Sequence, residues 1–342
     1  MRPKIHILYL LFIAFSISCK KENSKPRWDT LTVKEKVTSG SISNLILTRD
    51  NEIIVRVDYT GHEDFSTFYH STDNGIRWES MDLLNVATTG YSRIRLYDFY
   101  NSETNTIYLT SPGGGIMGFD PGILLKINLT TQVSLSLNRP IGETGYPAPP
   151  VDFLNDSLGF LALSDYNLTG YLCRTTNAGD SWDTVLTDTR IYSISFADEN
   201  TGFVSTENTC WKTINQGDSW EKIFETSSII RKVSMSNSNI GVLGGDKIWL
   251  TIDGGASWEI IYDNAVKDVK MDYKSNIYVI SKNGKFFYSE NLGESWSAKS
   301  KKGEGFSILE IFDNNVLTSI SNGNYSDNNG RKMDIRIGRL KN

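Results

Sequence analysis

The chain has 342 residues and a formal net charge of −5, from 35 Lys and Arg against 40 Asp and Glu. This balance leaves no basic stripe that could attract phosphate, so we predict no nucleic-acid partner. Only 3 His and 3 Cys are present, and none has a zinc-binding spacing, so we predict neither a metal site nor a cofactor.

The N-terminal segment, residues 1–18, is predicted to be an export signal rather than part of the fold. Met1–Lys4 is basic, and Ile5–Ile17 is mostly apolar but too short for a comfortable membrane-spanning helix.

Cys19 is the predicted site of lipid attachment. Ser16, Ile17, Ser18 and Cys19 resemble the lipobox of bacterial lipoproteins, although Ser16 stands where Leu is usual. The resemblance implies an exported cell-envelope protein, anchored in the outer membrane through its N-terminal lipid, with residues 19–27 as a polar tether. Ordinary cleavage after Ser18 would cut the same bond, and this alternative stays open.

A short motif, which we call the box, recurs along the rest of the chain. Its five copies are STDNGIRW from Ser71, TTNAGDSW from Thr175, TINQGDSW from Thr213, TIDGGASW from Thr251 and SENLGESW from Ser289. The last four copies start 38 residues apart, which predicts one supersecondary unit stacked repeatedly.

Each box has the residues of a tight hairpin turn. An Asp or Asn at the third position can accept hydrogen bonds from backbone N–H groups, and Gly at the fifth supplies a positive φ. The closing Trp covers the corner with an apolar ring whose N–H can find a partner. The residues to which we assign this structural role are Asp73, Gly75, Trp78, Asn177, Gly179, Trp182, Asn215, Gly217, Trp220, Asp253, Gly255, Trp258, Asn291, Gly293 and Trp296.

The box resembles the Asp-box, or BNR, repeat S/T-x-D/N-x-G-x-S/T-W, from which the first copy departs at Arg77. The resemblance implies a β-propeller similar to photosystem II assembly-factor-like and sortilin-type repeat proteins, which act mainly as binding platforms. It also implies that the boxes are structural corners on the face opposite the ligand funnel.

The strand pattern predicts an all-β fold, a seven-bladed β-propeller of four-stranded antiparallel blades over residues 28–342. In the unit 190–226 we predict strands near 191–196, 202–205, 209–213 and 219–224. Arg27–Val33 resembles a strand that follows a box, so we predict that it closes the last blade and removes two free sheet edges. The predicted blades are 40–83, 90–138, 149–187, 190–226, 229–263, 265–299 and 305–342, and another division of 84–148 would give six or eight.

The longest connections are predicted to lie on one rim, on blades 7, 1, 2 and 3. They are 58–65, 111–122, 139–150, 164–170 and 321–332. Long connections on a rigid scaffold often bind ligands, so we expect a protein, peptide or glycan to bind here. The alternative of solvated loops without a ligand stays open. The candidate ligand-binding residues on these loops are Tyr59, His62, Glu63, Asp64, Phe119, Asp120, Tyr146, Asp165, Tyr166 and Tyr325.

A glycoside hydrolase of sialidase type is the alternative function. That chemistry needs three arginines, a Tyr with a Glu partner and an Asp acid. The nearest match to the early Phe/Tyr-Arg-Ile-Pro phrase of sialidases is YSRIRL at Tyr91–Leu96, which lacks the Pro. Its Arg93 and Arg95 are counted among the ligand-binding candidates, and we predict no catalytic residue.

Cys173 and Cys210 are predicted to lie on the third strands of adjacent blades and to face opposite sides. They are 37 residues apart, one short of the repeat. Stacked sheets are about 10 Å apart, which is more than a disulfide spans, so two buried free thiols are favoured over a disulfide.

Overall fold

The structure, a computed structural model, describes residues 27–28, 31–35, 40–48, 52–59, 65–73, 77–81, 97–101, 105–110, 124–130, 133–136, 150–165, 167–298, 305–312, 315–320, 333–337 and 340–341. These residues form strands, turns and bends. Among them there is no helix of the length and apolarity needed to cross a membrane.

The chain forms strands in simple up-and-down order. It begins with β1 (Arg27–Trp28) and β2 (Leu31–Glu35). Six four-stranded antiparallel sheets follow, here called blades 1 to 6. Blade 1 contains β3 (Gly40–Leu47), β4 (Ile53–Tyr59), β5 (Phe65–Ser71) and β6 (Glu79–Met81). Blade 2 contains β7 (Tyr97–Asn101), β8 (Thr106–Thr110), β9 (Leu124–Asn128) and β10 (Val133–Ser136).

Blades 3 to 6 are described almost without interruption. Blade 3 contains β11 (Val151–Phe153), β12 (Gly159–Ser164), β13 (Thr169–Thr175) and β14 (Asp183–Thr189). Blade 4 contains β15 (Ser193–Phe196), β16 (Gly202–Ser205), β17 (Thr209–Thr213) and β18 (Glu221–Glu225). Blade 5 contains β19 (Ile230–Met235), β20 (Gly241–Gly245), β21 (Ile248–Thr251) and β22 (Glu259–Tyr262). Blade 6 contains β23 (Val266–Met271), β24 (Ile277–Ser281), β25 (Phe286–Ser289) and β26 (Ser297–Ala298).

Both faces of each blade pack against neighbouring blades, which explains the continuous apolar runs of the second strands. In β24 (Ile277–Ser281) every residue is buried, whereas β22 (Glu259–Tyr262), an outer strand, is exposed at its start. A strand that is buried on both faces needs apolar residues at consecutive positions rather than in alternation. The ends of the four strands predicted for blade 4 agree with the structure to within two residues.

The hydrophobic core lies between the blades. One cluster joins Phe203 and Cys210 of blade 4 to Val233 of blade 5, and another joins Val242 of blade 5 to Val269 of blade 6. Burying one such side chain stabilises the fold by about 1.5–3 kcal/mol. Comparable clusters join blades 1 and 2, 2 and 3, 3 and 4, and connect blade 6 to Phe306.

The two chain ends close the ring. The last strands are β27 (Phe306–Phe312), β28 (Asn315–Ile320), β29 (Met333–Ile337) and β30 (Leu340–Lys341). β2 pairs with β29, β1 pairs with β30, β28 lies against β29, and β27 contacts β3 of blade 1. The predicted pairing of the N-terminal strand with the C-terminal strands is therefore confirmed.

The β-propeller fold is confirmed, with six four-stranded blades and the strand pairs β27–β28 and β2–β29 in the described part of the chain. The count of seven blades stays a prediction. The predicted domain limits also stay predictions, because the signal 1–18, Cys19 and most of the tether lie outside the described residues.

Candidate functional site

The ring has two rims with different turns. The box rim carries the connections from first to second strand and the boxes, which join third to fourth strands. The opposite rim carries the connections from second to third strand and those from blade to blade. Because strands in each blade alternate in direction, these two sets of turns lie at opposite ends of the blades.

The box turns of blades 3 to 6 are bonded internally. In blade 3, Thr175 Oγ1 donates to Asn177 Oδ1 at 2.9 Å and accepts from the Gly179 amide at 2.9 Å. The Ser181 amide donates to Asn177 Oδ1 at 3.0 Å. The other three boxes repeat these bonds, and Gly179 has a φ of 92°. The predicted hairpin chemistry is therefore present in all four.

Asp253 has its carboxylate fully engaged in the blade 5 box. Ser257 donates to it from its hydroxyl at 2.6 Å and from its amide at 2.9 Å, and Thr251 donates from its hydroxyl at 2.8 Å. These bonds, first the one from the Ser257 hydroxyl, lower the pKa of Asp253 to about 2. The carboxylate thus acts as a turn anchor.

The boxes also join neighbouring blades. A Cβ at Gly255 would collide with Ile223 of blade 4, and one at Gly217 would collide with Phe160 of blade 3. Lys212 donates from its ammonium group to the carbonyl oxygen of Gly254 at 2.7 Å, across the interface between blades 4 and 5. The boxes therefore make both local and interblade contacts.

The blade 1 box keeps part of this pattern despite Arg77. Ser71 donates to Asp73 Oδ1 at 2.9 Å, and the Arg77 amide donates to the same oxygen at 2.8 Å. Gly75 lies outside the described residues, and Trp78 is half-buried. A backbone amide at position 77 suffices for this bond, so Arg can stand where Ser or Thr is usual.

The closing tryptophans do not behave alike. Trp182 donates to the Gly179 carbonyl and Trp220 to the Gly217 carbonyl, both at 3.2 Å. The buried Nε1 of Trp258 has no hydrogen-bond partner among the described residues. Within the described part of the chain, the hydrogen bond to the box glycine is therefore present at Trp182 and Trp220 and not at Trp258.

Of the predicted ligand-binding residues, Tyr59 and Asp165 lie among the residues that the structure describes. Tyr59 ends β4 and pairs with Gly40 and Phe65, at the opposite rim. The others lie outside the described residues, and their ligand roles stay predictions: His62, Glu63, Asp64, Arg93, Arg95, Phe119, Asp120, Tyr146, Tyr166 and Tyr325.

Asp165, a further candidate on this rim, is occupied by its own turn. Its Oδ1 accepts from the amides of Asn167 and Thr169, each at 2.9 Å, and its Oδ2 accepts from the Tyr171 hydroxyl at 3.2 Å. Partial desolvation would raise the pKa of Asp165, but these hydrogen bonds outweigh it and the pKa is lowered. The structure therefore gives Asp165 a role in shaping the turn.

A cationic cluster, Arg190, Tyr192 and Arg231, lies on the opposite rim of blades 4 and 5. The Arg190 guanidinium carbon is 4.6 Å from the centre of the Tyr192 ring, and that of Arg231 is 5.5 Å from the same centre. Such a cation–π contact fixes the plane of the Arg231 guanidinium while leaving its N–H donors in reach of a ligand. Arg231 is exposed.

A β-bulge projects Arg231 from the first strand of blade 5. Ile230 pairs with Gly245 and Lys232 with Gly244, so Arg231 is the extra residue. Lys267 is the extra residue of blade 6 in the same way, between Val266 and Asp268. Bulges re-aim side chains and often occur beside binding sites.

Asp188, the acidic residue nearest to this cluster in sequence, makes hydrogen bonds to blade 4. Asp188 Oδ2 accepts from Trp211 Nε1 at 2.5 Å and from the Thr209 hydroxyl at 2.9 Å. These bonds tie blade 3 to blade 4. Asp188 therefore serves an interblade contact beside Arg190.

Sequence reasoning missed the cationic cluster because it followed loop length. Tyr192 and Arg231 each follow a buried Ile, at 191 and 230, and thus occupy the same place in successive repeats. Alignment of the repeats outside the box would have placed both side chains on one rim.

Lysine–carboxylate pairs connect the first strands of blades 5, 6 and β27. Lys232 Nζ is 3.4 Å from Asp268 Oδ1, and Lys270 Nζ is 2.6 Å from Glu310 Oε2. The Asp268 charge outweighs burial and raises the pKa of Lys232. These pairs give charge-compensated contacts between blades.

Asp152 is a carboxyl group without such a pair among the described residues. It lies half-buried in β11, and burial raises its pKa to about 7 despite a hydrogen bond from the Phe153 amide. The corresponding positions of blades 4 and 5 hold Ser195 and Ser234, which accept from the Met235 and Met271 amides. No group of three or more His, Cys, Asp or Glu that could hold a metal occurs among the described residues.

Cys173 and Cys210 are free and buried, as favoured from their spacing. Cys173 packs against Tyr108 of blade 2, whereas Cys210 belongs to the core between blades 4 and 5. They therefore face opposite sides. Burial raises the pKa of Cys173 to about 11 and also raises that of Cys210.

Comparison with known proteins gives structural neighbours. No protein-family model matches the chain, and no curated protein sequence matches it. The structure of YCF48 bound to D1 peptide matches with 14% identity and a TM-score of 0.61, over 92% of this chain and 95% of that chain. YCF48 from Cyanidioschyzon merolae matches with 13% identity and a TM-score of 0.64, over 92% and 99%.

A third neighbour is the WD40 β-propeller domain of Doa1. It matches with 11% identity and a TM-score of 0.56, over 90% of this chain and 97% of that chain. At these identities the likeness concerns the fold. The chain is a β-propeller, similar in fold to YCF48 and to WD40 domains.

Proposed function

We propose that the protein is a non-catalytic propeller that binds a peptide segment of a partner protein on its opposite rim. The observation that carries this proposal is the cationic cluster, in which two guanidinium groups lie against the Tyr192 ring and a bulge projects Arg231. Guanidinium forks bind carboxylates and backbone carbonyls through paired N–H donors, and Tyr adds a rigid apolar surface.

The charge of the two rims supports this side for the partner. In blades 4 to 6, the box-rim turns 197–201, 214–220, 236–240, 252–258, 272–276 and 290–296 hold seven acidic residues and one lysine. The opposite-rim turns 190–192, 206–208, 226–229, 246–247, 263–265 and 282–285 hold three acidic and four basic residues. A peptide that carries negative charge would therefore be attracted to the opposite rim.

The structural neighbour YCF48, which has been solved with a D1 peptide, supports a peptide as the ligand class. Its identity to this chain is too low to transfer residues. The rim loops of blades 7, 1, 2 and 3, with the candidates from Tyr59 to Tyr325, are proposed to extend the same surface. A glycan is the alternative ligand for these loops.

Photo-crosslinking in the native envelope tests the side on which the partner binds. A crosslinking amino acid at Glu207 or at Ile214 samples the two rims of one blade, because these exposed residues flank β17 at opposite ends. We expect discrete protein adducts from position 207 and about tenfold fewer after Arg231→Gln, since a charge-assisted bond is lost. Adducts from position 214 alone would contradict the proposal.

Deletion of rim loops tests the proposed extension. Shortening 58–65 and 139–150 should abolish partner capture while thermal unfolding changes little, because loops contribute mainly recognition. Retention of full capture would restrict the binding surface to the cationic cluster.

We propose that Cys19 anchors the protein, as an outer-membrane lipoprotein, to the bacterial envelope. The lipobox-like Ser16–Cys19 supports this assignment. A Cys19→Ala variant should move from the membrane fraction to the soluble periplasmic fraction, as measured by immunoblotting. An unchanged membrane fraction would contradict lipid anchoring.

A further inference from the structure

An open depression with a volume of about 410 Å³ lies between blades 5 and 6 on the opposite rim, and we call it the blade 5–6 pocket. Its lining residues are Tyr262, Asn264, Ala265, Ser281, Lys282 and Asn283. A volume of this size falls in the range of small-ligand sites and easily holds one amino-acid side chain.

Hydrogen bonds and ring contacts hold the base of the pocket together. The Lys282 amide donates to the Ala265 carbonyl at 3.2 Å, which joins the two connections that form the pocket. Tyr262 packs its ring against Phe287 and Trp296 of blade 6, with centroid distances of 5.0 and 5.8 Å. Ser281 is buried and accepts from the Lys285 amide at 2.9 Å.

The polar groups of the pocket offer hydrogen-bond donors. The Ser281 hydroxyl donates to Asn283 Oδ1 at 2.5 Å, so the acceptor end of this amide is occupied. The Asn283 Nδ2 group donates to no described residue, so it can donate to a ligand. The exposed Lys282 adds an ammonium group, which can only donate.

Charge at the pocket edge favours an anion. Asp263, the acid next to Asn264, is paired with Lys247 at 2.8 Å. Lys282 and Lys285 are exposed, and the described residues include no carboxylate in an ion pair with either. The local balance is therefore positive beside a set of donors.

We propose that the blade 5–6 pocket binds a carboxylate group of the peptide, either an acidic side chain or the chain end, through Lys282 and the amide of Asn283. This inference rests on the proposed peptide-binding function and adds the chemistry of one contact. Arg231 and Lys267, at the bulges of blades 5 and 6, lie on the same rim.

Three small compounds distinguish the sources of the carboxylate. N-acetylglutamate N-methylamide carries a side-chain carboxylate, N-acetylglycine carries a chain-end carboxylate, and N-acetylglutamine N-methylamide is the neutral match. Each is titrated into isotope-labelled protein, and the side-chain amide signals of Asn264 and Asn283 are followed by nuclear magnetic resonance. Asn239 on the box rim is the internal control.

We expect saturable shifts of the two pocket amides with at least one carboxylate compound and not with the neutral compound. A response to both acids supports the shared chemistry, and a response to one identifies the source. Equal shifts with the neutral compound, or no saturable shift at the pocket amides, would overturn the proposal.

Asn283→Asp is the matched variant. It keeps an oxygen that can accept from Ser281, so the turn is retained, but it replaces the outward donor by an acceptor with negative charge. We expect about tenfold weaker carboxylate binding from loss of a charge-assisted bond. Unchanged binding in this variant would also overturn the proposal.

This test is separate from that of the proposed function. Loss of rim crosslinks with saturable carboxylate binding would refute peptide binding and retain the pocket. Rim crosslinks that require Arg231, without carboxylate binding, would retain peptide binding and refute the pocket.

Discussion

The two rims are built from the same strands of the same blades, yet they use their polar groups differently. On the box rim, Thr251, Asp253 and Ser257 bond to one another, and Gly255 packs against the preceding blade. On the opposite rim, Arg231 lies at a bulge and Lys282 lines the blade 5–6 pocket, and both are exposed. The polar groups of the repeated motif thus bond within the ring, whereas these two cations of the opposite rim face solvent.

The largest expected effect that separates the rims is in Gly255→Ala. Gly255 has a φ of 92°, and a Cβ would collide with Ile223. A left-handed conformation and overpacking together should lower the free energy of unfolding by about 2–4 kcal/mol. Denaturant titration measures this loss.

Gly254→Ala is the matched control for this variant. Gly254 also has a positive φ, of 71°, but the nearest atoms to its Cβ are 3.0 Å away, and Ala178 occupies the same place in blade 3 with a φ of 61°. We expect a cost of about 1 kcal/mol from the backbone alone. Equal costs for both variants would show that packing between blades is not what the box glycine serves.

Asp152→Asn tests a carboxyl group in β11, the first strand of blade 3, which runs between the two rims. Burial raises the pKa of Asp152 to about 7 from its model-peptide value of 3.8, so the folded state retains a proton that the unfolded state releases. The contribution of this group to the free energy of unfolding is fully present below about pH 4 and decreases as the pH rises towards 7. The variant should lack this decrease and gain on the order of 1–3 kcal/mol at pH 7.

The measurement for Asp152 is the free energy of unfolding between pH 4 and 8. Asp152→Ser, which imitates Ser195 and Ser234 of the next blades, should remove the same pH dependence. A slope that survives in both variants would assign the pH dependence to another group.

Arg231→Ala should have a small effect on stability, in contrast to the box glycine. Its described contact is with the Tyr192 ring at 5.5 Å, and an exposed cation–π contact contributes about 0.5–1 kcal/mol. Lys267→Ala, at the equivalent bulge, should cost no more. Thermal unfolding measures both, and a loss as large as that of Gly255→Ala would make the cationic cluster part of the ring's structure.

The fold could be predicted further than the site because its signals are local and repeated. The hydroxyl at Thr175 and the glycine at Gly179 identify a turn from a few adjacent residues, and Arg27–Val33 resembles strands elsewhere in the chain. The positive φ of Ala178 was not predictable, since the bonds of the turn impose it on a residue that rarely adopts it.

The cationic cluster illustrates what sequence alone does not provide. Tyr192 and Arg231 are 39 residues apart in sequence and meet only because β15 and β19 are neighbouring first strands. The bulge at Arg231 depends on its register with Gly244 and Gly245. The longest connections indicate other residues of the same rim, whose roles stay predictions.

Asp253→Asn should have the smallest effect and separates charge from turn geometry on the box rim. The ionised carboxylate is favoured in the folded state by the Ser257 hydroxyl, then by the Ser257 amide, which lower its pKa to about 2. Its contribution is therefore present above about pH 4 and is lost as the pH falls towards 2. Asn177 makes equivalent bonds in blade 3, with its Oδ1 accepting at 3.0 Å and its Nδ2 donating at 2.9 Å to Ser181. The variant should thus match the parent in melting temperature at pH 7 and fall less between pH 4 and pH 2. A lower melting temperature at pH 7 would mean that the box of blade 5 depends on the negative charge itself, and that the boxes with Asn are not its equivalents.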